Sequence, residues 1–283
     1  MERLIDLHTH STASDGSMRP AELVRHAKAA GLSAVALSDH DTTDGLAEAL
    51  AAGADCGIEV IPAIELSAAS ETETHILGYF IDPASKVLRD AVGYIREVRC
   101  ERIAETCDML REHGMDVTLE EVKALSGGIL CRAHIARIMT DKGYSKSPAD
   151  AFREWLNVGR PCYSDAQALT DTEAVTLIRD AGGEAYLAHL HLTKKPPDVL
   201  DAFVARLAKE GLSGIEGYYT DYTPAMEREY RGLAAKYGLG ISGGTDFHGA
   251  FKPHIAIGRG LGELRIPYSV LEGMRNSRGG VRR

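Results

Sequence analysis

The chain has 283 residues, 44% of them hydrophobic, enough for one large domain or one domain carrying an insertion. Its formal charge of -9 argues against wide, sequence-independent nucleic-acid binding, which needs a basic surface. No apolar run approaches the roughly 18 residues of a membrane span, and no charged segment followed by a long apolar one marks a secretory signal. The five cysteines (Cys56, Cys100, Cys107, Cys131 and Cys162) are an odd number without a C-x-x-C pair, which suits a reduced, cytoplasmic setting.

In chain order, short apolar runs alternate with helical patterns. Strands are expected at Leu4–His8, Ala34–Ser38, Val60–Ile64, His75–Phe80, Ala185–His189, Gly214–Gly217 and Gly240–Gly243. Helices are expected from Pro20, at Leu46–Ala52, Asp171–Ala181, Leu200–Glu210 and Ala225–Tyr237, with Pro, Asp or Thr at their starts and Gly at several ends. Repeated units of this kind predict an α/β fold with a parallel sheet. From about Pro83 to Ser164 the pattern is helical throughout, at Leu88–His113, Thr118–Leu125, His134–Thr140 and Pro148–Trp155, broken at Gly127-Gly128 and Gly159-Arg160-Pro161. This stretch reads as an insertion over the strand ends. The basic, Gly-containing tail Asn276–Arg283 reads as frayed.

Imidazoles and carboxylates collect where the strands end. His8 and His10 end the first strand in Asp6-Leu7-His8-Thr9-His10, with Asp15-Gly16 close behind. Residues i and i+2 of a strand share a face, so both rings can reach one ion. His40 follows the second strand, Glu65 ends the third, His75 opens the fourth, His189 ends the fifth, and Asp246 and His248 follow the last. In parallel α/β folds the chemistry sits at the carboxyl ends of strands. These nine groups are too many for one ion and suit two or three, with Glu65 bridging; mixed imidazole and carboxylate donors point to zinc, manganese or iron.

The set Asp6-Leu7-His8-Thr9-His10, Ser38-Asp39-His40-Asp41, Glu65, Thr74-His75-Ile76-Leu77-Gly78-Tyr79, Ala188-His189 and Thr245-Asp246-Phe247-His248 resembles the PHP (polymerase and histidinol phosphatase) family, over essentially the whole chain. The resemblance implies a distorted (β/α)7 barrel from residues 1–82 and 165–283, with 83–164 as a helical insertion covering the active site. It implies phosphoester hydrolysis at about three divalent ions, manganese first and iron or zinc next. One ion would use His8, His10, Glu65 and Asp246; a second Glu65, His75 and His189; a third Asp15, His40 and His248. Hydroxide generated there would attack phosphorus, with Glu65 and Asp246 as catalytic ligands and His191 or His134 protonating the leaving oxygen.

Cys131-Arg132-Ala133-His134 resembles the R-x-H segment of the small nucleotide phosphoesterases of that family, which implies that Arg132 and His134 hold substrate phosphate. Those relatives usually continue the fifth-strand motif as Ala-His-Pro-Gly-Arg-Tyr, whereas this chain reads Ala188-His189-Leu190-His191-Leu192-Thr193-Lys194-Lys195. His191, Lys194 and Lys195 suit a second phosphate, so the expected substrate is a 5-phosphorylated ribose cyclic phosphate. The alternatives are a 3′,5′-nucleotide bisphosphate, a short oligonucleotide cut from its 5′ end, or, in another class, metal-dependent amide hydrolysis. The expected partner is a small phosphorylated metabolite, not a membrane or extended nucleic acid.

Overall fold

Alternation along the strands decides what faces where. Ala34 and Ala36, Ile61 and Ala63, Leu77 and Tyr79, and Tyr186 and Ala188 join one buried cluster, while the residues between them (Val35, Leu37, Ile64, Leu66, Ile76, Leu187) join another. The first set fills the inside of a barrel and the second packs beneath the surrounding helices, as period-2 strands buried on both faces require. The computed structural model describes residues 2–69, 74–126, 128–166 and 168–280.

Seven strands lie in sequence order: β1 (Ile5–Asp6), β2 (Ala34–Leu37), β3 (Glu59–Ala68), β4 (Thr74–Tyr79), β5 (Glu184–Leu187), β6 (Gly214–Tyr219) and β7 (Gly240–Gly244). The Leu7 amide donates to the Gly243 carbonyl at 3.1 Å and the His10 amide to the Phe247 carbonyl at 2.9 Å, so the last strand meets the first and the sheet closes. The α/β barrel expectation holds, with one correction. The sheet is not all parallel, because β4 runs antiparallel to both β3 and β5. Five residues, 69–73, separate β3 from β4, and a parallel return needs a long crossover. That reversal places His75, at the start of β4, level with the carboxyl ends of the other strands.

Helices α1 (Pro20–Ala29), α2 (Leu46–Cys56), α7 (Asp171–Asp180), α8 (Pro197–Glu210) and α9 (Pro224–Tyr237) follow the expected alternation. Helices α8 and α9 start earlier than expected because Pro197 and Pro224 occupy first-turn positions, where a missing N–H costs nothing. The stretch expected to be helical holds α3 (Lys86–Glu112), α4 (Leu119–Leu125), α5 (Arg132–Asp141) and the short α6 (Pro148–Ala151), which runs into one π-helical turn at Phe152–Leu156. These helices pack around their own apolar cluster, including Ile103, Leu110, Val122, Ile135, Met139 and Leu156. Gly127 of the expected Gly127-Gly128 break lies outside the described residues.

The tail departs from expectation: α10 spans Ser269–Gly280, while residues 281–283 lie outside the described part. The segment is poor in helix formers at its end, but Leu271 and Met274 plug one end of the barrel with Ile266. Arg275 pairs with Glu59, and Arg278 donates to the Gly182 carbonyl at 2.8 Å. Tertiary packing overrides the weak local propensity. Among the described residues, no helix is long and apolar enough to cross a membrane. All five cysteines are free thiols.

Candidate metal centre

At the open end of the barrel, Glu65 stands at the focus of five imidazoles. It points inward on the alternation of Ile61 and Ala63, and β3 continues past it to Ala68, four residues beyond the expected end. Its Oε2 lies 3.1 Å from His8 Nε2 and 3.2 Å from both His10 Nε2 and His40 Nδ1. Its Oε1 lies 2.9 Å from both His75 Nδ1 and His189 Nε2, which are 3.2 Å from each other. Asp246 Oδ1 adds contacts of 3.6 Å to His8 Nε2 and 3.2 Å to His10 Nε2. Asp15 completes the set, with His248 Nε2 at 3.3 Å, His10 Nδ1 at 3.8 Å and His40 Nε2 at 3.9 Å. All nine residues singled out by spacing therefore come together.

Local backbone explains how. Regular pairing of β1 stops after Asp6, so His8 and His10 leave the alternation that puts Ile5 and Leu7 inside. Their rings still sit 5.2 Å apart. His189 and Asp246 adopt positive φ, +23° and +55°. Such angles cost a non-Gly residue about 1–3 kcal/mol and persist only where surroundings hold them. Here the His189 amide donates to Glu216 Oε2 at 2.7 Å. Asp246 Oδ2 accepts from the Tyr219 hydroxyl at 2.8 Å and the Lys252 ammonium at 2.6 Å, leaving Oδ1 toward the imidazoles.

Glu216 was not anticipated. It is fully buried, and Oε1 lies 3.0 Å from His8 Nδ1 while Oε2 takes the His189 amide. A carboxylate behind an imidazole sets its tautomer and orientation, presenting Nε2 to the site. The only hint was a charge inside a buried run, Gly214–Gly217, and burial is a tertiary property. Asp6 and Asp39 are likewise clamps. Asp6 accepts from the amides of Thr245 (2.9 Å) and Gly258 (2.8 Å), locking the β1–β7 seam. Asp39 accepts from the Ser11 amide at 2.7 Å and the Ser14 hydroxyl at 2.6 Å, fixing the loop that carries Asp15. Asp41 pairs with the buried Arg99, tying α3 to the barrel.

The charges are mutually dependent. Burial pushes the Glu65 carboxyl up, but the charges of His8, His40 and His75 hold it well below the usual carboxylate range. Burial lowers His10, yet Asp246 and Glu65 raise it to about 9. Burial dominates at His40, which falls well below the ordinary imidazole range. Both nitrogens of His10, Nδ1 of His40 and Nδ1 of His189 are buried without a hydrogen-bond partner among the described residues. Buried polar atoms are usually paired, so the unpartnered nitrogens of His10 and His40 beside Glu65 and Asp246 suit a cation-binding arrangement. Donor atoms within 4.8 Å of one another form the groups His8–His10–Glu65–Asp246, His10–Asp15–His40–His248 and His40–Glu65–His75. Imidazole and carboxylate donors of this mix suit manganese, iron or zinc.

A cleft enclosing about 650 Å³, space open to solvent included, lies beside this cluster, between the barrel rim and helices α3–α6. Asp15, His40 and His75 line one side; Arg99, Arg102, Arg132, Phe152, Val158 and Tyr163 line the other. Arg132 donates to the Leu156 carbonyl at 2.9 Å, and its guanidinium lies 5.2 Å from the centre of the Tyr163 ring. His134 is buried, and its Nδ1 accepts from the Cys131 amide at 3.1 Å, capping α5. His191 packs against Tyr219 and Tyr222, with ring centres 5.3 and 5.4 Å away. Lys194 is exposed, and the Lys195 ammonium sits 4.9 Å over the Phe203 ring of α8. Of the residues expected to touch substrate, Arg132 lines the cavity; His134, His191, Lys194 and Lys195 do not.

Comparison with known proteins supports this geometry. The PHP domain model matches residues 6–162. The chain is 34% identical to a 3′,5′-nucleoside bisphosphate phosphatase of Chromobacterium violaceum, covering 86% of this chain and 87% of that one. It is 32% identical to the 5′-3′ exoribonuclease Rnm of Escherichia coli (91% and 89% covered). It is also 32% identical to a phosphoribosyl 1,2-cyclic phosphate 1,2-diphosphodiesterase of Eggerthella lenta (88% and 97%). A solved structure described as an amidohydrolase from Chromobacterium violaceum, with bound sulfate and no metal, superposes with a TM-score of 0.86 at 30% identity, covering 96% of each chain. The barrel, its motif-bearing rim and these likenesses agree: the chain belongs to the PHP domain family of metal-dependent phosphoester hydrolases.

Proposed function

We propose that this phosphoesterase acts on a nucleotide carrying two phosphate groups, a 3′,5′-nucleoside bisphosphate. The cavity carries this reading, because it sets the guanidinium of Arg132 beside an aromatic and apolar slot of Phe152, Val158 and Tyr163. Arginine reads phosphate through a planar fork of donors, and aromatic faces receive a base by stacking. The sugar cyclic phosphate drew its support from Lys194 and Lys195, which do not line the cavity. The names of the relatives span both substrates, and the aromatic wall is what favours the nucleotide.

The nine rim residues hold the metal in this reading: His8, His10, Glu65 and Asp246; Glu65, His75 and His189; Asp15, His40 and His248. Divalent ions held there neutralise phosphate oxygens and supply hydroxide at neutral pH. The chain's own groups do the rest. Glu216 keeps His8 Nε2 aimed inward, Tyr219 and Lys252 keep Asp246 Oδ1 aimed inward, and Arg132 draws the phosphate into the cavity. Elemental analysis of protein purified with manganese is expected to find about three ions per chain. One ion or fewer with full activity would rule out the three-group assignment.

The substrate reading is tested by catalytic efficiency on adenosine 3′,5′-bisphosphate against a ribose cyclic phosphate bearing a 5-phosphate. The nucleotide is expected to win by about tenfold or more. A tenfold preference for the sugar would reverse the assignment.

A further inference from the structure

Among the cavity-lining cations, Arg102 is the anomaly. It projects from α3 one turn after Arg99 and is 3% exposed. Arg99 is fully provided for by Asp41, the Ser67 hydroxyl and the Leu130 carbonyl. Arg102, among the described residues, has no carboxylate within ion-pair distance. Among those residues its one acceptor is the Ala166 carbonyl, 3.5 Å from Nη1, and its Nε is buried without a partner. Burial first, then the neighbouring charges of Arg99 and Arg132, lower its pKa to about 9. A buried guanidinium without a counter-charge is unfavourable for the folded protein unless something else supplies the anion.

We infer that Arg102 receives the second phosphate of the substrate, the one not being cleaved, and so sets the preference for doubly phosphorylated substrates. Arg102 and the rim residues Asp15, His40 and His75 line the same cavity, so a substrate bound at the rim shares that cavity with the Arg102 guanidinium. The distal phosphate neutralises a charge for which the described residues supply no carboxylate at ion-pair distance. The inference rests on the phosphoesterase reading above and deepens it.

Two readouts on metal-loaded, full-length protein test it. The first is the ratio of kcat/KM on adenosine 3′,5′-bisphosphate to that on the adenosine monophosphates. Arg102→Met is expected to lower this ratio by at least about tenfold, and Arg102→Lys, which keeps the charge but not the fork, by less. An unchanged ratio, with both substrates weakened alike, overturns the inference and places Arg102 at the cleaved phosphate or in the scaffold. The second is thermal stability without ligand. An uncompensated cation predicts that Arg102→Met melts at or above the wild-type temperature; a scaffold role predicts that both variants melt lower, which overturns the inference. If wild-type protein hydrolyses no nucleotide phosphate, the substrate reading fails separately. Inorganic phosphate then decides: the rise in melting temperature it gives the wild type must shrink in Arg102→Met, and an equal rise overturns the inference.

Discussion

Glu65→Gln is expected to lower turnover by at least about a thousandfold, beyond the roughly 10- to 100-fold typical of groups that only orient a ligand. The side chain keeps its size, so the barrel should fold as before. The substitution removes one negative charge from a carboxylate that faces His8, His10 and His40 through one oxygen and His75 and His189 through the other. An amide offers one oxygen and one nitrogen, so one of the two groups of imidazoles loses its shared acceptor. Metal content should drop in parallel. Steady-state kinetics and elemental analysis of the same preparation check both halves, and wild-type turnover with a full metal complement would remove Glu65 from the centre.

Gly244→Ala is expected to disrupt the site without touching any charged side chain. An added Cβ at Gly244 would lie 2.2 Å from the Cβ of His8 and 2.4 Å from its amide nitrogen. Neither atom is the free end of a flexible chain, so β7 and the segment after β1 must separate. Overpacking of this kind costs about 1–3 kcal/mol or more, a fall in melting temperature of about 2–12 °C for a chain of this size. His8 would move off its line to Glu65, and metal content should fall with it. Gly232→Ala in α9, where nothing lies within 4 Å, is the control, expected to hold or raise stability. Equal melting curves and metal content for Gly244→Ala and wild type would show that the seam gives way easily.

The substitutions bear on different layers of the molecule, and the layers were not equally legible in the sequence. Glu65, His75 and the His8–His10 pair announced themselves because histidine is an uncommon residue and here collects with carboxylates at strand ends. The helices announced their boundaries where caps and prolines are local signals, as at Thr118, Thr170 and Pro20. Helix α10 did not, because what holds it is Leu271 and Met274 packed into the barrel end and Arg278 on a distant carbonyl.

What the amino-acid order determined by itself is the donor set, the strand–helix alternation and the helical character of residues 83–164, all encoded within short windows of chain. Tertiary structure alone decided three other things. The reversal of β4 brings His75 to the rim. The positive φ of His189 and Asp246 turns their side chains to the centre, held by Glu216, Tyr219 and Lys252 from other strands and loops. Helices α3 and α5 bring Arg102 and Arg132 to the cavity beside the imidazoles, whereas Lys194 and Lys195, nearer in sequence to a rim histidine, do not line it. Proximity along the chain says which residues share an element. Which side chains share a cavity follows from closure of the barrel and from burial, and both depend on contacts between residues far apart in sequence.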